Sequence, residues 1–390
     1  MPAPRRLGRR PLALALGVVA LLAAVGASLV LLSTDDEDAT TGAEPRLVFA
    51  EFGLLADSIY VASPDALEDR DFVASVAHAR GWAIMPAAEM AGALVAYTVL
   101  PTDVPPRRDE PAELWLLDVR SREQTRLAGD ADLLAAPVFD RAGEALVYRR
   151  SNTDGTQELV RVDLASRARR TLLSRRTGFG LFPVALDRAG DALYIELSTG
   201  GTDLYRVAEG GSPQLLAHAS DHVARDWRLS PDGATLSYLA PEISAERVVH
   251  RLRIIGVTAE AGTPSSAPTM LAAEDGDALE GQLSPVWTPG GEALTVGIEA
   301  YPELSAAPVT LALDDAVAGA AGPLLPAPAQ GFDAPLGWSD DGRYLAARSF
   351  SGRDAFEPGL ESLVVISPRG RRSTVLADSE LIFIGWLQRV

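Results

Sequence analysis

One ten-residue pattern recurs along this chain, and its spacing limits the fold more tightly than any other feature. The clearest copy is Leu229-Ser-Pro-Asp-Gly-Ala-Thr-Leu-Ser-Tyr238. Related copies span residues 139–148, 186–195, 287–296 and 338–347, and a worn copy covers 85–97. The five clear copies each have a large apolar residue, a polar turn, a Gly four residues on and a Leu three residues after that. The turn glycines Gly92, Gly143, Gly190, Gly233, Gly291 and Gly342 stand 51, 47, 43, 58 and 51 residues apart. A repeat of that length built from short strands is the signature of a β-propeller.

Residues 137–174 serve as a sample blade. An inner strand at 137–139 leads into the turn Asp140-Arg-Ala-Gly143, where Gly supplies a positive φ. A second strand follows at 145–149, and Asn152-Thr-Asp-Gly155 makes a hairpin loop. Residues 158–163 alternate as a half-buried third strand does, and 170–173 form the outer strand. The same order fits 81–127, 182–217, 226–272, 284–325 and 335–377, giving six blades. Two fragments are left over: an inner-type strand at 381–386, and three strands at 46–50, 58–62 and 71–74. Joined, they make a seventh blade from the two ends of the chain and close the ring with no unpaired edge. The expected fold class is therefore all-β, a seven-bladed propeller over 46–390, with six blades as the alternative if a weaker repeat is something else.

The segment ahead of the propeller reads as an export signal. Residues 11–32 are apolar or small apart from Ser28, long enough to span a ~30 Å hydrocarbon core as a helix. Arg5, Arg6, Arg9 and Arg10 precede the run and Asp35, Asp36, Glu37 and Asp38 follow it, so residues 1–10 are expected in the cytoplasm and the remainder outside. A secretory signal cut after Ala27 is the rival reading; the run continues through Leu29-Val-Leu-Leu32, which favours an uncleaved anchor. Residues 33–45 read as an acidic flexible linker.

The turn pattern and its aromatic-Ser/Thr-Pro/Asp-Asp/Gly-Gly variants resemble the TolB-type propeller repeat of bacterial envelope proteins, over residues 46–390. Similar repeats occur in the propellers of prolyl-oligopeptidase-like peptidases. The small domain that precedes the propeller of TolB has no room in the short linker 33–45, so a TolB protein proper is not expected.

Charge and motifs exclude several functions. The net charge is −18, and beyond the four N-terminal Arg the remaining 31 Arg face 53 Asp and Glu, or −22. Such a surface repels phosphate backbones, so no nucleic-acid partner is expected. With no Cys there are no disulfides, thiolate nucleophiles or Cys-rich metal sites. Neither Gly-x-Ser-x-Gly, a phosphate loop nor a dinucleotide fingerprint occurs. His218 and His222 stand i, i+4 with Asp221 and Asp226 near, but in an expected inter-blade loop without the Glu of a zinc helix. Asp275-Gly-Asp277, with Glu274 and Glu280, fails the calcium-loop spacing. No cofactor or metal is expected. Trp82, Trp227, Trp287, Trp338 and Trp386 fall in or beside inner strands and read as packing between blades.

Long, irregular loops at 100–110, 241–250, 299–308 and 349–361 join second to third strands, on the face that also carries the connections between blades. That face gathers Arg107, Arg108, Phe179, His218, His222, Tyr301, Phe350, Arg353 and Phe356 as candidate binding residues. The repeated turns themselves lie on the opposite face and read as structural. The expected function is a non-enzymatic, membrane-anchored propeller outside the cytoplasm that binds an envelope protein or a peptide. The alternative is a propeller enzyme, a metal-assisted hydrolase or lactonase, which requires His218, Asp221, His222, Asp275 and Asp333 to converge on an acidic channel.

Overall fold

The repeat becomes seven sheets. The computed structural model describes residues 44–105, 107, 109–243, 248–257, 269–270, 281–300, 305–313, 325–376 and 380–387. Blade one is the composite: Leu381–Leu387 innermost, then Arg46–Glu51, Ala56–Ser63 and Ala66–Ala77. Blade two comprises Met85–Pro86, Leu94–Val99, Ala112–Asp118 and Gln124–Ala131. Blade three comprises Val138–Phe139, Ala145–Ser151, Thr156–Asp163 and Arg169–Arg176. Blade four comprises Leu181–Leu186, Ala192–Ser198, Gly201–Val207 and Gln214–Ser220. Blade five comprises Arg225–Leu229, Thr235–Ile243, Val248–Gly256 and Thr269–Met270. Blade six shows Gln282–Trp287, Ala293–Ile298 and Val309–Ala312; the region expected to carry its outer strand lies largely outside the described residues. Blade seven runs Gly331–Trp338, Leu345–Phe350, Glu361–Ile366 and Arg372–Thr374.

The turn glycines take the backbone the motif requires, with φ of 60, 67, 82, 71, 78 and 69° from Gly92 to Gly342. Those values favour glycine, because a Cβ in the left-handed region is strained. At Gly143 a Cβ would also lie 2.9 Å from Ala91 Cβ of the preceding blade's turn, so consecutive turns touch around the ring.

Apolar strand faces pack blade against blade. One buried cluster sits at each of the seven junctions. Tyr97, Val48 and Ile384 join blades one and two, Leu146 and Leu114 blades two and three, and Tyr194 and Val147 blades three and four. Tyr238 and Leu204 join four and five, Trp287 and Leu239 five and six, Val286 and Leu345 six and seven. Trp386, Phe49 and Ala346 close seven onto one. The expected role of the tryptophans is met with one added detail: three indoles donate backward across the junction. Trp287 Nε1 donates to Arg228 O at 3.1 Å, Trp338 Nε1 to Thr295 Oγ1 at 2.9 Å, and Trp386 Nε1 to Gly337 O at 2.9 Å. Trp82 instead precedes its inner strand and packs beside Leu100 and Leu133.

Two readings of the loops change. Residues 241–250 are mostly ladder, with Pro241 opposite His250 and Ile243 opposite Val248, so the strands of blade five extend where a loop was expected. Within 299–308, Ser305–Ala306 pairs in parallel with Gly331 and Phe332 at the start of the inner strand of blade seven. The two residues thereby become the edge of that sheet beside its inner strand, at the long-loop end. The chain enters the propeller at Arg46, which is paired with Leu387 at the short-turn end.

Among the described residues no helix is long and apolar enough to cross a membrane; the run 11–32 lies outside them.

Candidate functional site

Two surfaces of the ring stand out, one at each end. On the long-loop face, apolar side chains that strands would hide are left in water. Of the twelve exposed large hydrophobic residues among the described residues, nine lie in or beside loops of this face. Leu54, Leu55, Ile243, Val248, Phe356 and Leu360 belong to second-to-third strand connections, and Leu134, Phe179 and Val223 to connections between blades. Phe356 and Leu360 are 79% and 82% exposed, each costing water contact with little compensating packing. Their loop is nonetheless ordered by its own bonds: Asp354 Oδ1 accepts from Phe356 N and Glu357 N, Ser351 Oγ from Leu360 N, and Ala300 N donates to Arg353 O. These side chains form apolar surface held out on a fixed loop.

At the other end, the turns of the repeat rim a cavity of about 470 Å³ in the channel, lined by all seven blades. Its wall includes Phe139, Leu186, Trp287, Trp338, Phe383 and Trp386. Of its acids, Asp140 pairs with Arg161 at 3.7 Å and Asp187 with Arg206 at 3.0 Å, each tying a turn to a third strand. Glu89, Asp340 and Arg228 also line it. Burial raises the Glu89 carboxyl above the ordinary value; Arg228 opposes the rise and Asp340 adds to it. The Asp340 carboxyl is raised as well, by burial first and by Asp341 second.

No family model and no curated protein matches this chain. Solved structures do. A Bacteroides fragilis propeller assigned as a 6-phosphogluconolactonase superposes with a TM-score of 0.52 at 12% identity, over 91% of this chain and 100% of that one. Oligogalacturonate lyase of Vibrio parahaemolyticus gives 0.51 at 10%, over 83% and 91%. TolB of Acinetobacter baumannii gives 0.48 at 16%, over 69% of this chain and 61% of that one. At these identities the likeness establishes the fold.

The residues singled out from the sequence fare unevenly. Arg107, Phe179, His222, Arg353 and Phe356 are exposed on the long-loop face; Arg107 is held by Asp109 and Arg353 by Glu357. Phe350 is half-buried, stacked on Phe332 with centroids 5.1 Å apart. Arg108 and Tyr301 lie outside the described residues, as does Asp275. His218 is not in an inter-blade loop but near the end of the outer strand of blade four, where Asp203 Oδ1 lies 2.7 Å and Asp221 Oδ1 3.0 Å from its two ring nitrogens. Asp333 is fully buried in blade seven, held by both Arg372 guanidinium nitrogens at 2.6 Å. His218, Asp221 and Asp333 therefore do not converge on the channel, and among the described residues no cluster of three or more His, Asp or Glu can hold a metal. Sequence reasoning missed the exposed leucines and valines, which look like any core residue in a strand-rich pattern. It also missed Glu89, whose copy of the motif is the most eroded.

Both carboxylates hold the His218 imidazole above its ordinary value. A raised value means the pair stabilises the fold fully below the unfolded imidazole value of about 6.5 and that the gain is lost as pH climbs through the folded value. His218→Ala is thus expected to lower the thermal midpoint at pH 5.5 and to leave it unchanged at pH 9. A loss of equal size at both pH values would show that His218 acts through packing.

Proposed function

We propose that this chain is a membrane-tethered propeller outside the cytoplasm that binds an envelope protein or peptide on its long-loop face and performs no chemistry of its own. The concentration of exposed apolar side chains on that one face carries the reading. A rigid ring supplies the scaffold, and its loops supply anchors of the kind that dominate interface energies, Phe356, Phe179 and Leu360 foremost. The tether of residues 33–45 joins the propeller at Arg46 on the short-turn face, so the apolar loops stand at the opposite end from the attachment point.

The test is photo-crosslinking from Phe356 and Leu360 in membranes, followed by quantitative capture of the crosslinked species. Replacing Phe356, Leu360 and Phe179 together by Ser is expected to cut capture at least about tenfold, since each buried anchor is worth over 1 kcal/mol. The triple substitution leaves the fold intact, because all three side chains already face water. Unchanged capture, or crosslinks of equal yield from a control position in an outer strand such as Leu215, would overturn the proposal.

A further inference from the structure

We propose that the cavity at the short-turn end of the channel is a binding well for an organic cation, a primary ammonium or guanidinium on an apolar stem, with Glu89 as its counter-ion. This reading is independent of the long-loop face and concerns the opposite end of the ring.

The well owes its carboxylate to one departure from the repeat. Three residues before the turn glycine, five blades carry Asp140, Asp187, Ser230, Thr288 or Ser339. Each of these side chains caps its own turn. Asp140 Oδ1 accepts from Glu144 N, Asp187 Oδ1 from Ala189 N and Asp191 N, and Ser230 Oγ from Thr235 N. Thr288 Oγ1 accepts from Ala293 N and Ser339 Oγ from Tyr344 N. Blade two has Glu89 there. With one more methylene, the carboxylate makes no such bond among the described residues. It lines the cavity instead, and the charges that act on it, Arg228 of blade five and Asp340 of blade seven, come from blades that do not adjoin its own. A side chain felt from those directions reaches toward the channel axis. It is exposed to the water of the cavity that it lines.

Charge and wall chemistry select the ligand. Asp140 and Asp187 are neutralised by Arg161 and Arg206, while Arg188, at the rim, lies 3.7 Å from Asp232, and Arg141 also acts on Asp232. Glu89, Asp340 and Arg228 also line the cavity, and the Arg228 guanidinium donates to the Trp227 carbonyl at 3.5 Å. Arg141 and Arg188 share the one carboxylate of Asp232, which leaves the well near neutral, so Glu89 attracts a cation as a carboxylate without a pairing partner among the described residues rather than through an excess of charge. Aromatic wall residues add attraction for a cation, and apolar surroundings weaken screening of its pairing with a carboxylate. About 470 Å³ suits a small organic molecule and exceeds what a bare ion fills. Two carboxyls are also too few for a metal cage. The cavity is rimmed by the short turns, while Ser305–Ala306 pairs with the inner strand of blade seven at the other end.

The experiment is calorimetric titration of the full-length chain in detergent with butylguanidinium and butylammonium, with n-butanol as the neutral probe. Both cations are expected to bind at one site and butanol not at all. Glu89→Gln is expected to weaken them by about tenfold, and Arg228→Gln, which removes the competing cation, to tighten them severalfold. A gain of affinity is something a misfolded variant does not produce. Affinity is expected to rise with pH as Glu89 ionises, in the field of Arg228 and Asp340. Asp109→Asn on the other face changes nothing. No binding by either cation, equal binding of butanol, or equal affinities in Glu89→Gln and the unaltered chain each overturn the proposal.

Discussion

A chain that ends at Glu380 is expected not to fold as a monomer. Its loss removes the inner strand Leu381–Leu387, which pairs with Arg46–Glu51 along its whole length. Ile384, Trp386 and Leu387 are all less than 9% exposed and serve two junctions, blade one with two and blade seven with one. At roughly 1.5–3 kcal/mol for each large apolar side chain buried, these three alone approach the ~5–15 kcal/mol that holds an ordinary domain together. Truncation also strips Arg46–Glu51 of its partner and bares a strand edge, the usual start of aggregation. The measurement is soluble yield with size-exclusion chromatography and urea unfolding of the truncated and full chains. A monomeric truncated chain with an unchanged midpoint would show that the ring does not depend on its composite blade.

The second large effect is expected at Asp57. It is fully buried in blade one, and its carboxylate gathers three groups: Gly53 N at 3.1 Å, His78 Nε2 at 3.1 Å, and Ile84 N at 2.8 Å on the approach to blade two. The other ring nitrogen of His78, itself 1% exposed, faces Ala79 O at 2.9 Å, and Phe52 stacks on the imidazole. Asp57 thus clasps the composite blade to its neighbour. Asp57→Ala leaves two backbone donors and a buried imidazole without their acceptor, and such half-broken buried pairs cost about 3–5 kcal/mol. Asp57→Asn is expected to fall between, because an amide oxygen accepts from Ile84 N while its NH₂ confronts donors. Urea midpoints at a constant slope report the difference; a loss below ~1 kcal/mol for Asp57→Ala would show that the clasp contributes little.

Neither Asp57 nor His78 was prominent in the sequence. A lone Asp in an alternating strand looks solvated, and only the approach of residues 53, 78 and 84 turns it into a shared acceptor. Asp333 is similar: read as a candidate for a channel site, it is instead consumed by Arg372. In contrast, Trp287, Trp338 and Trp386 share one repeat position, and their packing role followed from that position. His218 fell between these cases. Its spacing to His222 was visible, but the ladder that places it opposite Asp203 was not.

What the sequence determined by itself was the repeating part. The apolar alternation, the left-handed turn at Gly92 through Gly342 and the two incomplete ends that complete each other follow from local sterics and strand periodicity, which act within one blade. Tertiary structure alone decided the rest: that Ser305–Ala306 crosses to blade seven, that the apolar loop residues remain uncovered, and that Glu89 looks into the channel rather than onto its own turn. These depend on ring closure. Closure brings side chains from blades two, five and seven around one axis, and it determines which turn charges find a third-strand arginine and which are left facing the hollow.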